Sequence, residues 1–171
     1  MEQALIETIV RSTVRISALA FAASLTLFAA AGAHRRRWVF HAVRAFAAFI
    51  VAHTIHFGAV MWLAAVTASA NIDARGGWAL MMTVALLFYA AAFAILRTWR
   101  EIAAGRQPTA PAWFGSRLGV LFIAAVFLNS YIARAERMPL YWLAVTAMIA
   151  TVVFYILRGA TQARRSGQTK A

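Results

Sequence analysis

Two histidines inside a long apolar run are the residues most able to do chemistry in this sequence. His53 and His56 stand in the stretch Ala-His-Thr-Ile-His-Phe, and on a helix they lie about 60° apart around the axis. A neutral imidazole in an apolar environment needs partners for its ring nitrogens. The pattern leaves three readings open: hydrogen bonds across helices, ligation of a haem iron, and proton or quinone chemistry.

A second polar group lies in a later apolar run and ends at a basic residue. Counting from the start of each run, His56 and the centre of this group differ in height by only several Å, at about 1.5 Å per residue. We therefore expect these side chains to form one polar cluster with the histidines, joined by Arg15 and more distantly by Arg44, a residue that also suits an interfacial anchor. The group consists of Asn129, Ser130, Tyr131 and Arg134.

The other two histidines restrict how a haem could be held. His34 adjoins a run of arginines, whereas His41 lies 15 residues before His56, so that both can share a helix face about 22 Å apart. No histidine follows His56, and two histidines of one helix cannot clasp opposite faces of one haem. The remaining options are His41, His53 or His56 alone, a His–Met pair, or a site shared across a homodimer. Candidate thioether ligands are Met61, Met82 and Met148.

Composition places the chain in a membrane. Of its 171 residues 63% are hydrophobic, more than a soluble core of this size can hide. The net charge of +12 comes from basic residues in short loops and tails between apolar runs, which indicates topology determinants and not a nucleic-acid surface. Cysteine is absent, so disulfides and thiolate sites are excluded. The lipid bilayer is the expected partner. No phosphate-binding glycine loop or nucleophile elbow is present.

The elements that must position the histidines are five apolar runs, each long enough for a transmembrane helix. Continuous apolar runs of this length favour helices over barrel strands. The predicted fold is therefore an all-α bundle occupying residues 16–158. Its spans are residues 16–33, 38–67, 78–99, 114–133 and 140–157. Six tryptophans near the predicted span ends are expected to anchor the bundle at the headgroups: Trp38, Trp62, Trp78, Trp99, Trp113 and Trp142.

Two segments flank the bundle. Residues 1–15 carry Glu7, Arg11 and Arg15 at intervals of four, which predicts an interfacial extension of the first helix. Residues 159–171 are predicted to form a basic tail. Basic residues, including Arg35, are concentrated on one side of five crossings, whereas the other side holds fewer, among them Arg75 and Arg137. The positive-inside rule then predicts an outside N-terminus and a cytoplasmic C-terminus in a bacterial inner membrane.

A family resemblance bears on the histidines. The stretch from Arg35 through Arg44 to His53-Thr-Ile-His56 resembles the second helix of ferric-reductase-like transmembrane proteins, and it is similar to the haem-binding membrane subunit of the periplasmic methionine-sulfoxide reductase system. The segment Phe127–Tyr131 with Arg134 resembles a small bacterial branch of that group. The resemblance implies b-type haem at the second helix. It departs from the family in one place, because Trp113–Arg117 lacks the later histidine ligand.

Three functions follow as hypotheses. The first is a haem-associated electron-transfer module served by a separate membrane or periplasmic redox partner, since no flavin or nicotinamide domain is attached. The second is a non-catalytic assembly protein that has lost haem. The third is a small transporter or quinone-interacting protein, although the chain has no evident internal repeat of the transporter type.

Overall fold

The computed structural model describes residues 2–31, 36–66, 77–136 and 138–168, and these residues form helices and turns with no strand. The all-α prediction is confirmed. The helices, in chain order, are α1 (Glu2–Ala31), α2 (Arg36–Val66), α3 (Gly77–Ala103), α4 (Ala110–Ala135) and α5 (Tyr141–Gln168). His34, Arg35, Arg75, Arg137 and the last residues of the first two predicted spans lie outside the described residues.

All five helices are long and apolar enough to cross a membrane, so the chain is built as a multi-pass membrane protein. The qualifying segments are Ala4–Ala31, Arg37–Ala65, Gly77–Ala103, Ala110–Ala135 and Tyr141–Arg158. α1 runs without a break from Glu2 through the predicted extension, and α5 continues into the predicted tail as far as Gln168. The outside position of the N-terminus stays a prediction, which reporter fusions to the two termini test.

Local capping explains why α3 and α4 exceed the apolar runs. Beyond α3, Arg106 N–H donates to Glu101 O at 2.8 Å and Gly105 N–H donates to Ile102 O at 2.9 Å, which is a Schellman motif. Gly105 has φ 78°, a conformation that glycine adopts without a Cβ penalty. At the start of α4, the Thr109 hydroxyl accepts from Ala112 N–H and a proline occupies the first turn. Two such caps set the reversal between α3 and α4.

The helices close into a ring in which each packs against its chain neighbours and α5 returns to α1. Two contacts give the direction of the closing pair: Arg15 meets Tyr141 at the start of α5, and Phe28 meets Tyr155 further along. α1 and α5 therefore run parallel, as an odd number of crossings requires. The two ends of the chain consequently point to opposite ends of the bundle.

Aromatic side chains fill the centre of the ring. Phe21 of α1 contacts Phe46 and Phe49 of α2 at centroid distances of 6.3 and 5.1 Å, and Phe127 of α4 at 5.8 Å. Rings at these separations supply packing area in tilted and offset geometries. The predicted anchoring role of Trp99 is wrong: the indole is 0% exposed and stacks on Phe28 at 4.3 Å. Stacking on Phe28 of α1 therefore buries the indole in the core of the bundle.

Candidate functional site

A crevice of about 300 Å³ lies between α2, α3 and α4. The α2 wall includes His53 and His56, and the α3 wall includes Met81, Phe88 and Tyr89. Aliphatic side chains from all three helices complete the lining. The crevice therefore combines an apolar interior with a few polar groups, as is usual for sites that bind small molecules.

His56 is held from outside the crevice by α1. Its Nδ1 lies 3.1 Å from Val10 O and 3.2 Å from Thr13 Oγ1. Because a carbonyl oxygen only accepts, we place the ring proton on Nδ1, which donates to Val10 O. The Thr13 hydroxyl is itself bonded to Ile9 O at 2.7 Å. In this tautomer Nε2 keeps its lone pair and is the acceptor atom of the half-buried imidazole, which lines the crevice.

His53 is fixed by ring contacts instead of hydrogen bonds. Its imidazole stacks on Phe88 at 4.0 Å with an interplanar angle of 18°, and it packs edge-on against Phe127 at 5.8 Å. Its Nδ1 is buried and finds no hydrogen-bond partner among the described residues. The ring centroids of His53 and His56 are 5.6 Å apart. The two imidazoles are thus neighbours with different surroundings, one bonded to the backbone and the other wedged between phenyl rings.

Tyr89 adds a hydroxyl group near this site. Its OH donates to Thr54 Oγ1 at 3.1 Å, and Thr54 Oγ1 in turn donates to Ile50 O at 2.8 Å. The bond joins α3 to α2 at Thr54, the residue that directly follows His53. Tyr89 lines one side of the crevice, and its hydroxyl is already bonded to Thr54. His56 is therefore the hydrogen-bond acceptor of the crevice that is best placed to meet a ligand.

None of the predicted polar residues of α4 lines the crevice, although Arg134 is near enough to His56 to act on it electrostatically. Arg134 Nη1 donates to Ser130 Oγ at 2.7 Å, so this pair satisfies itself along one helix face. Tyr131 is buried and its ring lies 5.8 Å from that of Tyr141. Asn129 is exposed on the helix surface and makes no hydrogen bond within the described part of the chain.

The remaining predicted residues also lie away from the crevice. Arg15 is exposed and donates to Tyr141 OH at 3.3 Å. Arg44 is exposed at the far end of α2, with its guanidinium 5.8 Å from the centroid of Phe40. His41 is exposed and meets the same phenyl ring edge-on at 6.2 Å. Only His53 and His56, of the residues singled out in the sequence, line the crevice.

Several residues of the site were missed in the sequence, among them Thr13 and Met81. Ile6 and Val10 form an apolar stripe along the first helix, and Thr13 lies beside it. A hydroxyl next to such a stripe was the signal that could have indicated Thr13 as a site residue. Met81 shares a helical face with Ala85 and Phe88, which also line the crevice. By contrast, Met148 is 4% exposed in the core and Met82 is 45% exposed.

The described residues contain no group of three histidine, aspartate or glutamate side chains that could hold a metal ion alone. Comparison with protein-family models, with curated proteins and with solved structures finds no match for this chain.

Proposed function

We propose that the protein is a b-type haem-associated electron-transfer module of the bacterial inner membrane, with His56 as the iron ligand. The observation that carries the proposal is the Nδ1 hydrogen bond from His56 to Val10 O at 3.1 Å. Histidines that ligate metals almost always donate their other ring N–H to a carbonyl, carboxylate or water, which fixes the tautomer and raises the basicity of the ligating nitrogen. His56 has this arrangement through Val10 O.

The residues around His56 would supply one histidine ligand to a haem iron, and not two. His53 belongs to the same helix and cannot reach the opposite face of a macrocycle held by His56. Met81 of α3 faces the same crevice across from α2 and is the thioether available for a His–Met pair. When bound, haem supplies an iron that accepts and releases single electrons, and a methionine ligand raises its potential.

The chain's own residues would hold and shield this group. Val10 and Thr13 orient the imidazole of His56, so α1 acts on the site without entering it. Phe88 and Phe127 surround His53 and keep water from the buried side of the crevice. A dry, apolar surrounding is one of the means by which proteins set the potential of a haem.

The absorption spectrum tests this proposal. The chain is expressed with added haem precursor, purified in mild detergent, and examined for a Soret band in the oxidised and reduced states. His56→Ala is expected to remove the band, because His56 is the histidine of the crevice whose Nδ1 donates to a backbone carbonyl among the described residues. His53→Ala is expected to keep a band with altered intensity, and His41→Ala serves as the matched control because His41 is exposed and distant.

Two results contradict the proposal. A colourless preparation after haem supply removes the cofactor, and a band that survives in His56→Ala but disappears in His53→Ala reassigns the ligand. A colourless preparation with a stoichiometric protein partner favours the non-catalytic assembly role.

A lipid-soluble quinol is a second candidate ligand, favoured by the size and polarity of the crevice. About 300 Å³ is at the small end of ligand sites. The free Nε2 of His56 accepts a hydrogen bond, which suits a quinol hydroxyl. A colourless preparation that carries a quinone in its lipid extract, lost in His56→Ala and retained in His41→Ala, supports this candidate over haem.

A further inference from the structure

Away from the crevice, two arginines and two tyrosines from three helices meet at one end of the bundle. We call this the arginine–tyrosine cluster: Arg15 of α1, Ser130, Tyr131 and Arg134 of α4, and Tyr141 of α5. Arg134 lies in the last turn of α4 and Tyr141 is the first residue of α5. The cluster is therefore at the level where two of the five spans end.

Hydrogen bonds and ring contacts organise the cluster. Arg15 donates from Nη2 to Tyr141 OH at 3.3 Å, and Arg134 donates from Nη1 to Ser130 Oγ at 2.7 Å. The ring centroids of Tyr131 and Tyr141 lie 5.8 Å apart. Each arginine is thus held by a neutral hydroxyl, and each keeps further N–H donors for another partner.

The two arginines of the cluster lie outside the salt bridges of the described residues. Both Arg15 and Arg134 are near enough to Tyr131 and Tyr141 to act on them electrostatically. The ion pairs in the described part of the chain are Glu7–Arg11 and Arg97–Glu101, so neither cluster arginine has a carboxylate partner there. Two like charges at one end of the bundle repel each other, and a bound anion lowers that repulsion.

We propose that the arginine–tyrosine cluster binds the phosphate group of an anionic phospholipid headgroup. Guanidinium groups match phosphate oxygens in shape and charge, and their charge-assisted hydrogen bonds are among the strongest in proteins. The phenol of Tyr141 holds Arg15 in place, and Ser130 does the same for Arg134. The position at the span ends matches the depth of lipid headgroups. This inference is independent of whether the crevice holds haem.

Photochemical crosslinking tests the proposal on the full chain. The protein is reconstituted in vesicles of phosphatidylcholine containing phosphatidylglycerol with a photoreactive headgroup, and crosslinked peptides are mapped by mass spectrometry. We expect crosslinks on the segment 130–143 in the native sequence. Arg15→Gln with Arg134→Gln is expected to lower the yield there by about tenfold, as the loss of charge-assisted hydrogen bonds implies.

Three further variants make the result interpretable. Arg15→Lys with Arg134→Lys keeps both charges and should retain most of the yield, which separates charge from folding. Tyr141→Phe frees Arg15 from its acceptor and should give an intermediate yield. Arg44→Gln is the matched control, since Arg44 is an exposed arginine at the far end of α2, and it should leave the yield at segment 130–143 unchanged.

Each outcome of the crosslinking experiment either supports or overturns the proposal. Competition by millimolar inorganic phosphate supports the phosphate chemistry and identifies a soluble source. Equal yields in the native chain and the double glutamine variant overturn the proposal, as does equal labelling by a neutral phosphatidylcholine probe. A loss of yield in Arg44→Gln as large as in the double glutamine variant also overturns it, because the effect then reflects overall charge.

Discussion

Aromatic residues have opposite roles in the two halves of the bundle. In the Trp99 half, defined by Phe28, Trp99 and Tyr155, the rings stack into a closed core, with Trp99 0% exposed. In the histidine half, defined by His53, His56 and Phe88, the rings wall a crevice of about 300 Å³. Both halves lie within the same five helices, so the difference comes from side-chain volume and not from the path of the chain.

Buried polar atoms sharpen the contrast between the halves. In the Trp99 half, Trp99 Nε1, Ser116 Oγ and Tyr155 OH are buried without a hydrogen bond within the described residues, although the three groups lie close enough to interact. In the histidine half, His53 Nδ1 is likewise buried without a hydrogen bond, whereas His56 Nδ1 has a defined partner on α1 and its ring lines the crevice. Packing dominates the first half, whereas the second keeps a polar group available for a ligand.

The largest expected effect is on the packing of the Trp99 half. Trp99→Ala removes a fully buried indole that contacts Phe28, Phe46 and Tyr155. We expect the free energy of unfolding in mixed detergent micelles to fall by about 3 kcal/mol or more, because the ring leaves a cavity. Trp142→Ala is the control, since Trp142 is 48% exposed and should change stability by well under half of that amount. Equal losses in the two variants would remove the distinction between core and surface tryptophans.

Close approach of α3 and α4 gives the next effect. A Cβ added at Gly119 would lie 3.0 Å from Ala91 O and 3.2 Å from two side-chain carbons of Ile95. Because a backbone oxygen cannot move aside cheaply, Gly119→Ala is expected to lower the free energy of unfolding by about 1–3 kcal/mol. Gly115→Ala, four residues earlier on the same helix, meets nothing within 4 Å and should be neutral or slightly stabilising. Thermal unfolding in detergent compares the two, and a stable Gly119→Ala variant would show that α3 and α4 can separate.

The length and apolar content of the helices made the fold predictable. Runs of about 20 apolar residues allow only one common structure in lipid, because every backbone group must be satisfied within the helix. The ends of the helices were harder to predict from the sequence. α4 begins at Ala110, before its apolar run, because the Thr109 cap acts locally and has little hydropathy signal.

The site was predictable only in part. His53 and His56 stood out because imidazoles are rare in apolar runs, and both line the crevice. Their partners could not be found by counting residues, since Val10 acts through its carbonyl oxygen, which every residue carries. The predicted link to Asn129 rested on equal depth, but depth does not fix rotation about the helix axis, and Asn129 lies on the exposed face.

Removal of an unpaired hydroxyl from the Trp99 half should stabilise the protein. Ser116→Ala takes away a buried oxygen without a hydrogen bond, at a residue that is 0% exposed. A buried unsatisfied polar group costs about 1 kcal/mol or more, so the free energy of unfolding is expected to stay equal or rise by about 1 kcal/mol. Chemical unfolding in micelles measures this change. A clear loss of stability would show that Ser116 Oγ is satisfied, for instance by an internal water shared with Tyr155 OH.

The smallest effect on stability is expected at the contact between α1 and the histidine half. A variant of Thr13 tests whether this contact contributes to stability or orients His56. Thr13→Val removes the hydroxyl beside His56 Nδ1 but leaves the Val10 carbonyl in place. Side-chain hydrogen bonds between membrane helices contribute about 0.6 kcal/mol on average, so unfolding should change by no more than about that amount. Binding of haem or quinol should weaken as well, because His56 is then held by one contact instead of two. Thr8→Val, which removes an exposed hydroxyl bonded to Ala4 O on the same helix, is the matched control. If the two variants unfold and bind alike, His56 is oriented by Val10 alone, and the contribution of α1 to the site reduces to a single carbonyl oxygen.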